Sequence, residues 1–174
     1  FLGRSFVRLD QMRKLIDDLL DMTWMESGQK KRKIESIDLG ELVARAAEMV
    51  AEEAKRRNIS IKTDVPKELK LRGDNTEVDM IINNMVSNAC KYNLDDGAVD
   101  ISVTETDDGA LKIAVRDTGI GMTEEEQARL FGEFVRIKNE KTKDILGSGL
   151  GLSILKKLAG LYNGEVTVKS APGE

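Results

Sequence analysis

Along this 174-residue chain the apolar positions recur with two different periods. From Leu2 to about Ser27 the period is helical: Leu2, Leu9 and Ile16 lie seven apart, as do Met12 and Leu19, while Leu15, Leu20 and Met22 widen the stripe. Gly28 ends it. A lone helix with so apolar a face is unstable in water, so the pattern predicts a partner helix, from another chain or from a segment upstream. Ile34 to Ile37 reads as a short strand. Asp38 is a good N-cap for a helix through about Arg57, with Leu39, Leu42, Val43, Ala46, Ala47 and Val50 on one face and Asn58 closing it. Ile59 and Ile61 alternate with Ser60 and Lys62 as a strand, which Pro66 breaks. The next helix starts near Asp74 and ends near Tyr92. Ile101 and Val103 alternate in one strand, Asp108-Gly109 makes a turn, and Leu111, Ile113 and Val115 alternate in the hairpin partner. Residues 123–131 read as a short helix, 132–148 show no period, 149–162 form a last helix, and Glu165 to Lys169 reads as a strand. Helices interleaved with hairpin-linked strands predict an antiparallel or mixed sheet and so an α/β two-layer sandwich.

Composition narrows the chemistry. With 40% hydrophobic, 33% charged and 4% aromatic residues, the chain can build one core from Ile, Leu, Val, Met and Ala. Twenty-seven basic against 31 acidic residues leave a net charge of -4, which argues against a nucleic-acid surface, and the basic run Lys30 to Lys33 reads as a solvated linker. Cys90 is alone and cannot form an intrachain disulfide, which fits a reducing compartment. There is no histidine. That excludes Ser-His-Asp and Cys-His nucleophile pairs, imidazole zinc sites and a phosphohistidine within this chain. No apolar run reaches the length of about 18 residues needed to span a membrane. The chain opens on Phe1 without a signal-like start and reads as a piece of something longer.

Three motifs carry chemistry. On the helix from Asp74, the residues Val78, Ile81, Ile82, Met85, Val86 and Ala89 define a buried stripe, and Glu77, Asn84, Asn88 and Lys91 lie along one edge of it. Any amphipathic helix has a polar border. Two Asn at i, i+4 followed by Lys favour a ligand, because an amide oxygen is a hard neutral donor suited to Mg²⁺ that keeps most of its waters and phosphate oxygens. Second, Asp117-Thr118-Gly119-Ile120-Gly121-Met122 follows a strand directly. A carboxylate at a strand end accepts from the exocyclic amine of adenine, where guanine offers a carbonyl, so Asp117 would select ATP over GTP. Gly119 and Gly121 let the backbone approach the base. Alone, the segment is also an ordinary turn. Third, Gly147-Ser148-Gly149-Leu150-Gly151-Leu152 opens the last helix, where free N–H groups and a positive dipole end favour phosphate, or where a simple hinge would lie. Neither glycine loop is a P-loop or a Rossmann fingerprint, since no Gly-Lys pair exists and no third Gly follows at the right distance.

Together and in this order, the motifs resemble the ATP-binding domain of sensor histidine kinases of two-component systems, over nearly the whole chain. Asn84 to Lys91, continuing through Tyr92, looks like the N box; Asp117 to Gly121, including Ile120, like the G1 box. Phe131 to Phe134, followed by Arg136, looks like the F box, and Gly147 to Leu152 like the G2 box. Leu15 to Met22, ending in Glu26-Ser27-Gly28, is similar to the second helix of the family's dimerisation and phosphoacceptor hairpin. Val135 stands where an aromatic is common, and Tyr162 where a His often precedes the glycine. The chain stops short of the family's usual final strand, and the hairpin helix with the phosphoacceptor His is missing.

The resemblance implies a Bergerat-type ATP-binding fold, helices on one face of the sheet, preceded by one long dimerisation-type helix. It divides the chain into residues 1–28 (that helix), 29–37 (linker and short strand) and 38–174 (ATP-binding catalytic domain). It implies ATP and Mg²⁺ as cofactors, Asn88 on the metal, Lys91 and Arg136 on phosphate, Tyr92 near the nucleotide and residues 122–146 as a mobile lid. The parent would be a cytoplasmic or membrane-anchored protein-histidine kinase that dimerises through the N-terminal helix, transferring the γ-phosphate of ATP to an imidazole and then to an Asp of a response regulator. Catalytic residues in the strict sense are absent here, since the acceptor His is absent. Two other readings stay open. ATPases of the same fold, as in type II topoisomerases, MutL proteins or the Hsp90 family, would want a water-activating carboxylate on the Asn helix, and Glu77 lies seven residues before Asn84. A dimerisation module holding ATP only as a structural ligand is the other.

Overall fold

Strand β1 (Ile34–Asp38) turns directly into helix α1 (Leu39–Arg56) because Asp38, its backbone still extended, acts as the N-cap, its Oδ1 accepting from Gly40 N at 2.9 Å and Glu41 N at 3.2 Å. Such a cap is worth about 1 kcal/mol. The structure, a computed structural model, describes residues 9, 12, 13, 15–20, 22, 23, 31–137, 142, 145 and 147–173. The chain divides into two units, Lys33–Thr123 with Lys169–Glu174, and Phe1–Arg32 with Glu124–Val168.

In the first unit α1 is followed by β2 (Ser60–Asp64), β3 (Lys70–Asp74), α2 (Asn75–Lys91), β4 (Ala98–Glu105) and β5 (Leu111–Asp117). Asn58 ends α1 as expected, taking a left-handed φ of 53° while Ile59 N donates to Ala54 O at 2.8 Å. The β4–β5 hairpin turns at Gly109, where φ is 78°. Its register sets Val99 opposite Asp117, so Asp117 ends the ladder. β2 lies parallel to β4 on the other side, giving a three-stranded sheet in the order β2-β4-β5. β1 pairs with β3 in a separate antiparallel ribbon. The strand β3 was not predicted, because Lys70-Leu71-Arg72-Gly73-Asp74 holds one large apolar residue and no alternation. The layers meet as patterned: Val99, Ile101 and Val103 of β4 are buried with Val78, Ile82, Val86 and Ala89 of α2 and Leu39, Leu42, Val43, Ala46, Val50 and Ala54 of α1. Each fully buried large side chain contributes about 1.5–3 kcal/mol. The result is the α/β two-layer arrangement with mixed, mostly antiparallel pairing.

The second unit contains α3 (Glu124–Arg129) and α4 (Gly151–Leu161). Leu150, Ile154, Leu155 and Leu158 are buried along α4. The described residues between 9 and 23 are helical, and Leu9, Met12, Ile16, Leu19 and Leu20 are all exposed, whereas Met22 is buried. Leu15 is half-buried, and Leu2 of the expected stripe lies outside the described residues. The helix stop at Gly28 lies outside the described residues, as do positions 138–141, 143, 144 and 146 of the expected lid. One expectation needs correction. Glu165 to Lys169 is not a strand: Val166 and Val168 keep the half-buried alternation, but among the described residues no neighbour completes a ladder, and pairing rather than alternation makes a strand. In the basic run the Lys31 and Lys33 side chains are exposed, whereas the half-buried Arg32 sets its guanidinium 4.9 Å from the centroid of the Tyr162 ring, and the backbone N of Lys33 donates to Asp74 Oδ2 at 2.8 Å.

Candidate functional site

Helix α2 is pinned at both ends. At its start, Asp74 Oδ1 accepts from Thr76 N at 3.0 Å and Glu77 N at 3.4 Å, while Oδ2 holds Lys33 N. At its end the Arg57 guanidinium gathers carbonyls, donating from Nη1 to Cys90 O at 2.9 Å and from Nη2 to Asn93 O at 2.6 Å, with Nε on Asp95 Oδ1 at 2.8 Å. A cation there answers the negative end of the helix dipole. Held in this way, α2 presents Asn84, Asn88 and Lys91 half-buried along the edge of its stripe. Asn84 Nδ2 donates back to Met80 O at 2.9 Å, which leaves the amide oxygen as its open group. Among the described residues the Asn88 amide makes no hydrogen bond. Lys91 Nζ lies 5.2 Å from the centroid of the Tyr92 ring. Glu77 shares the edge in sequence but is only 3% exposed, so it offers no accessible carboxylate beside the two amides.

The turn after β5 is fastened to the end of α2. Ile120 N donates to Tyr92 O at 3.1 Å. Asp117 Oδ1 accepts from Gly119 N at 2.9 Å, and Oδ2 has no partner among the described residues. Burial holds the Asp117 carboxyl above its usual range, a shift that the Gly119 N–H only partly offsets. A half-buried carboxylate with one oxygen uncommitted suits a neutral N–H donor such as an exocyclic amine. Gly119 leaves no room for a side chain, because a Cβ would overlap Tyr92 O and Asp117 Oδ1. Gly121 has φ 63°, and a Cβ there would run into Ala171 O. The loop is tied to residues 169–173 as well: Met122 N donates to Ser170 Oγ at 3.0 Å and Gly173 N to Ile120 O at 3.1 Å. Gly119→Ala is therefore expected to cost about 1–3 kcal/mol of stability through overpacking and to displace the Asp117 carboxylate. Thermal melting checks the first effect and nucleotide titration the second; an unchanged melting temperature would show that the turn relaxes freely.

In the second unit, Gly149 joins two of the predicted motifs. Its φ is 78°, and a Cβ would lie 2.9 Å from Val135 O, 3.0 Å from the Phe134 carbonyl carbon and 3.0 Å from Arg136 Cγ. The segment Phe131 to Arg136 thus packs on the glycine loop only because position 149 lacks a side chain. Arg136 Nη2 donates to Ile145 O at 2.7 Å, so this side chain, expected on phosphate, is engaged in its own loop. Ser148 Oγ donates to Asp18 Oδ2 and accepts from Leu150 N at 3.3 Å. No side chain caps the first turn of α4, whose opening N–H groups come from Gly151 and Leu152. Gly147 is half-buried beside them in sequence. Each unit therefore gathers its own predicted residues: Asn84, Asn88, Lys91, Tyr92, Asp117, Gly119, Ile120 and Gly121 in one, Arg136 and Gly147 to Leu152 in the other. Sequence reasoning missed Arg57 and Asn93, whose signals were a basic residue after a helix and a polar residue beside the Asp95-Asp96-Gly97 turn, and it named Thr118 within the Asp117 motif without giving it a role.

Residues 73–174 match the family described as Histidine kinase-, DNA gyrase B-, and HSP90-like ATPase. The chain belongs to that family. Among relatives within it, the Non-motile and phage-resistance protein of Caulobacter vibrioides is 32% identical over 163 residues, covering 92% of this chain and 19% of that protein. The Sensor-like histidine kinase SenX3 of Mycobacterium tuberculosis is 29% identical over 173 residues, covering 99% of this chain and 42% of that protein. The chain thus spans less than half the length of either relative. Full-length ShkA, solved in complex with AMPPNP, superimposes with a TM-score of 0.82 at 26% identity, covering 100% of this chain and 37% of that one. Family and fold together make this an ATP-binding catalytic domain of the histidine-kinase kind.

Proposed function

We propose that this chain holds Mg-ATP for transfer of the γ-phosphate to a histidine outside it, in a sensor histidine kinase that passes the phosphate to the receiver domain of a response regulator. Residues 38–174 would be the catalytic domain and residues 1–28 part of a helix through which the parent dimerises. The observation that carries the reading is that the Asn88 side-chain amide and Asp117 Oδ2, the two groups the motifs assign to metal and adenine, are both without a protein partner among the described residues. Asp117 accepts the adenine amine, Gly119, Ile120 and Gly121 line the approach to the base, and Tyr92 lies near the nucleotide. On the motif resemblance Lys91 in the one unit would bind phosphate, and so would Arg136, Gly147, Ser148, Gly149, Leu150, Gly151 and Leu152 in the other.

Among the described residues no group of three or more His, Cys, Asp or Glu side chains could hold a metal alone. That fits Mg²⁺, which keeps most of its waters and takes its charge from the substrate phosphates, and Asn88 supplies the single neutral oxygen. When bound, the ion neutralises charge developing on the phosphates. The chain itself contributes position and electrostatics, because it has no histidine to serve as the nucleophile. Glu77 is too buried to activate water as the related ATPases would require. A domain that feeds phosphate to a response regulator would work in the cytoplasm; separately, among the described residues no helix is long and apolar enough to cross a membrane.

Asn88→Ala tests the metal assignment. It should lower Mg-ATP affinity by about 1–3 kcal/mol, the scale of a lost bond to a charged group, and leave the melting temperature nearly unchanged, since among the described residues the side-chain amide has no hydrogen-bond partner. Titration calorimetry with and without Mg²⁺ checks this; equal affinity in both proteins with Mg²⁺ present would remove Asn88 from the metal.

A further inference from the structure

Asn93 is 4% exposed, and nothing in the ATP reading uses it. Its side chain is nonetheless fully committed. Nδ2 donates to Ala98 O at 2.9 Å, and Oδ1 accepts from Leu94 N at 2.9 Å and from Thr118 Oγ1 at 3.3 Å. Its carbonyl is the one held by Arg57 Nη2. Thr118 closes the circuit: its Oγ1 accepts from Ala98 N at 2.9 Å, and its own N donates to Ala98 O at 3.2 Å. The Ala98 peptide is thus gripped on both polar atoms by Thr118, and Asn93 locks that grip from beneath. Gly97 is required here, because a Cβ would overlap Asn93 Oδ1 and lie 2.8 Å from Thr118 Oγ1.

Thr118 is the residue directly after Asp117, and Asp117 stands at the last rung of the β4–β5 ladder, where no further strand pairing fixes the backbone. Beyond that rung, the Asn93–Ala98–Thr118 circuit takes over from the ladder. An acceptor discriminates between an amine and a carbonyl only if it cannot move away from the mismatch, so selectivity depends on the stiffness of this support. We propose that Asn93, acting through Thr118, is the positioning residue that holds Asp117 for adenine and so sets the preference for ATP over GTP. The inference rests on the assignment of Asp117 to adenine.

Titrating the full chain with ATP and with GTP, each with Mg²⁺, tests it. The unmodified chain should prefer ATP. Asn93→Ala and Thr118→Val should each lower ATP affinity about tenfold while changing GTP affinity little, so that the ratio collapses. The double variant should be no worse than either single one, because both break the same circuit. Thr118→Ser, which keeps the hydroxyl, should return the ratio that Thr118→Val loses. A role confined to folding would lower the melting temperature and both affinities together with the ratio intact, and that result would overturn the proposal. Should Asn93→Ala fail to fold, Thr118→Val alone decides, since it removes one exposed hydroxyl. A chain that binds ATP and GTP equally before any substitution would remove the adenine assignment and this inference with it, whereas selectivity kept in both variants removes the inference alone.

Discussion

Asp117→Asn should weaken ATP binding by about 1.5–3 kcal/mol and yet make the free protein more stable. The loss follows from charge. An amide has one acceptor oxygen, so it can accept from Gly119 N or from an adenine amine but turns an NH2 donor toward the other, and a bond to an ionised acceptor is worth roughly twice one to a neutral acceptor. The gain in stability follows from burial, which is the larger influence on Asp117 and raises its pKa above the ordinary carboxylate value, with the Gly119 N–H opposing it. A carboxyl whose folded value is raised binds its proton more tightly folded than unfolded. Its ionised form therefore costs stability at neutral pH, and that cost fades as the pH falls through the raised value. Asparagine carries no such cost. The melting temperature of the variant should exceed that of the unmodified chain at pH 7, and the difference should shrink as the pH is lowered. Paired melts across pH, with ATP and GTP titrations at pH 7, measure both halves. A variant that is less stable at pH 7 would mean that the carboxylate is satisfied in the free protein and is not waiting for a ligand.

The same residue shows how far the sequence could be read. Alternation in Leu111, Ile113 and Val115 located β5, and a polar run containing two glycines located its end, so Asp117 could be placed at a strand terminus from pattern alone. Asp38 was legible as a cap because capping needs only a short acceptor before a helical period, whereas Asp74 was placed at a helix start without being read as its cap. By contrast, β3 carries one large apolar residue and exists because β1 offers it a ladder, and Glu165 to Lys169 has the alternation but no ladder. In both cases the deciding partner is distant in sequence, and local period cannot report it. Asn93 was invisible for a related reason. Its four neighbours in the hydrogen-bond circuit, Leu94, Ala98, Thr118 and Arg57, come from three elements, and only the fold shows that they meet. Arg136 was legible as a cation after an aromatic pair, but nothing in its spacing indicated that Ile145 O would engage it.

On the proposed function, this chain should bind ATP and still acquire no phosphohistidine under any condition. The first half rests on Asn88 and Asp117, whose open groups belong to the unit made of Lys33–Thr123 and Lys169–Glu174. The second rests on composition: with no imidazole in the chain, Ser, Thr and Asp lack the neutral nitrogen nucleophile that the parent reaction would use. Binding and transfer should therefore separate cleanly. γ-Labelled ATP should leave no acid-labile, base-stable label on the chain, and such label would refute the reading, because that stability profile identifies phosphohistidine. A helix carrying the parent's His, supplied in trans, should become labelled only if it can pair with the apolar stripe of Leu9, Met12, Ile16 and Leu19, which is exposed along its length. Leu19→Asp places a charge in that seam, where burial without a partner is costly, so it should block labelling of the added helix. The substitution lies on an exposed face and should leave ATP affinity unchanged. Labelling that survives Leu19→Asp would show that the acceptor reaches the nucleotide by another surface, and lost ATP affinity would show that the N-terminal helix supports the site itself.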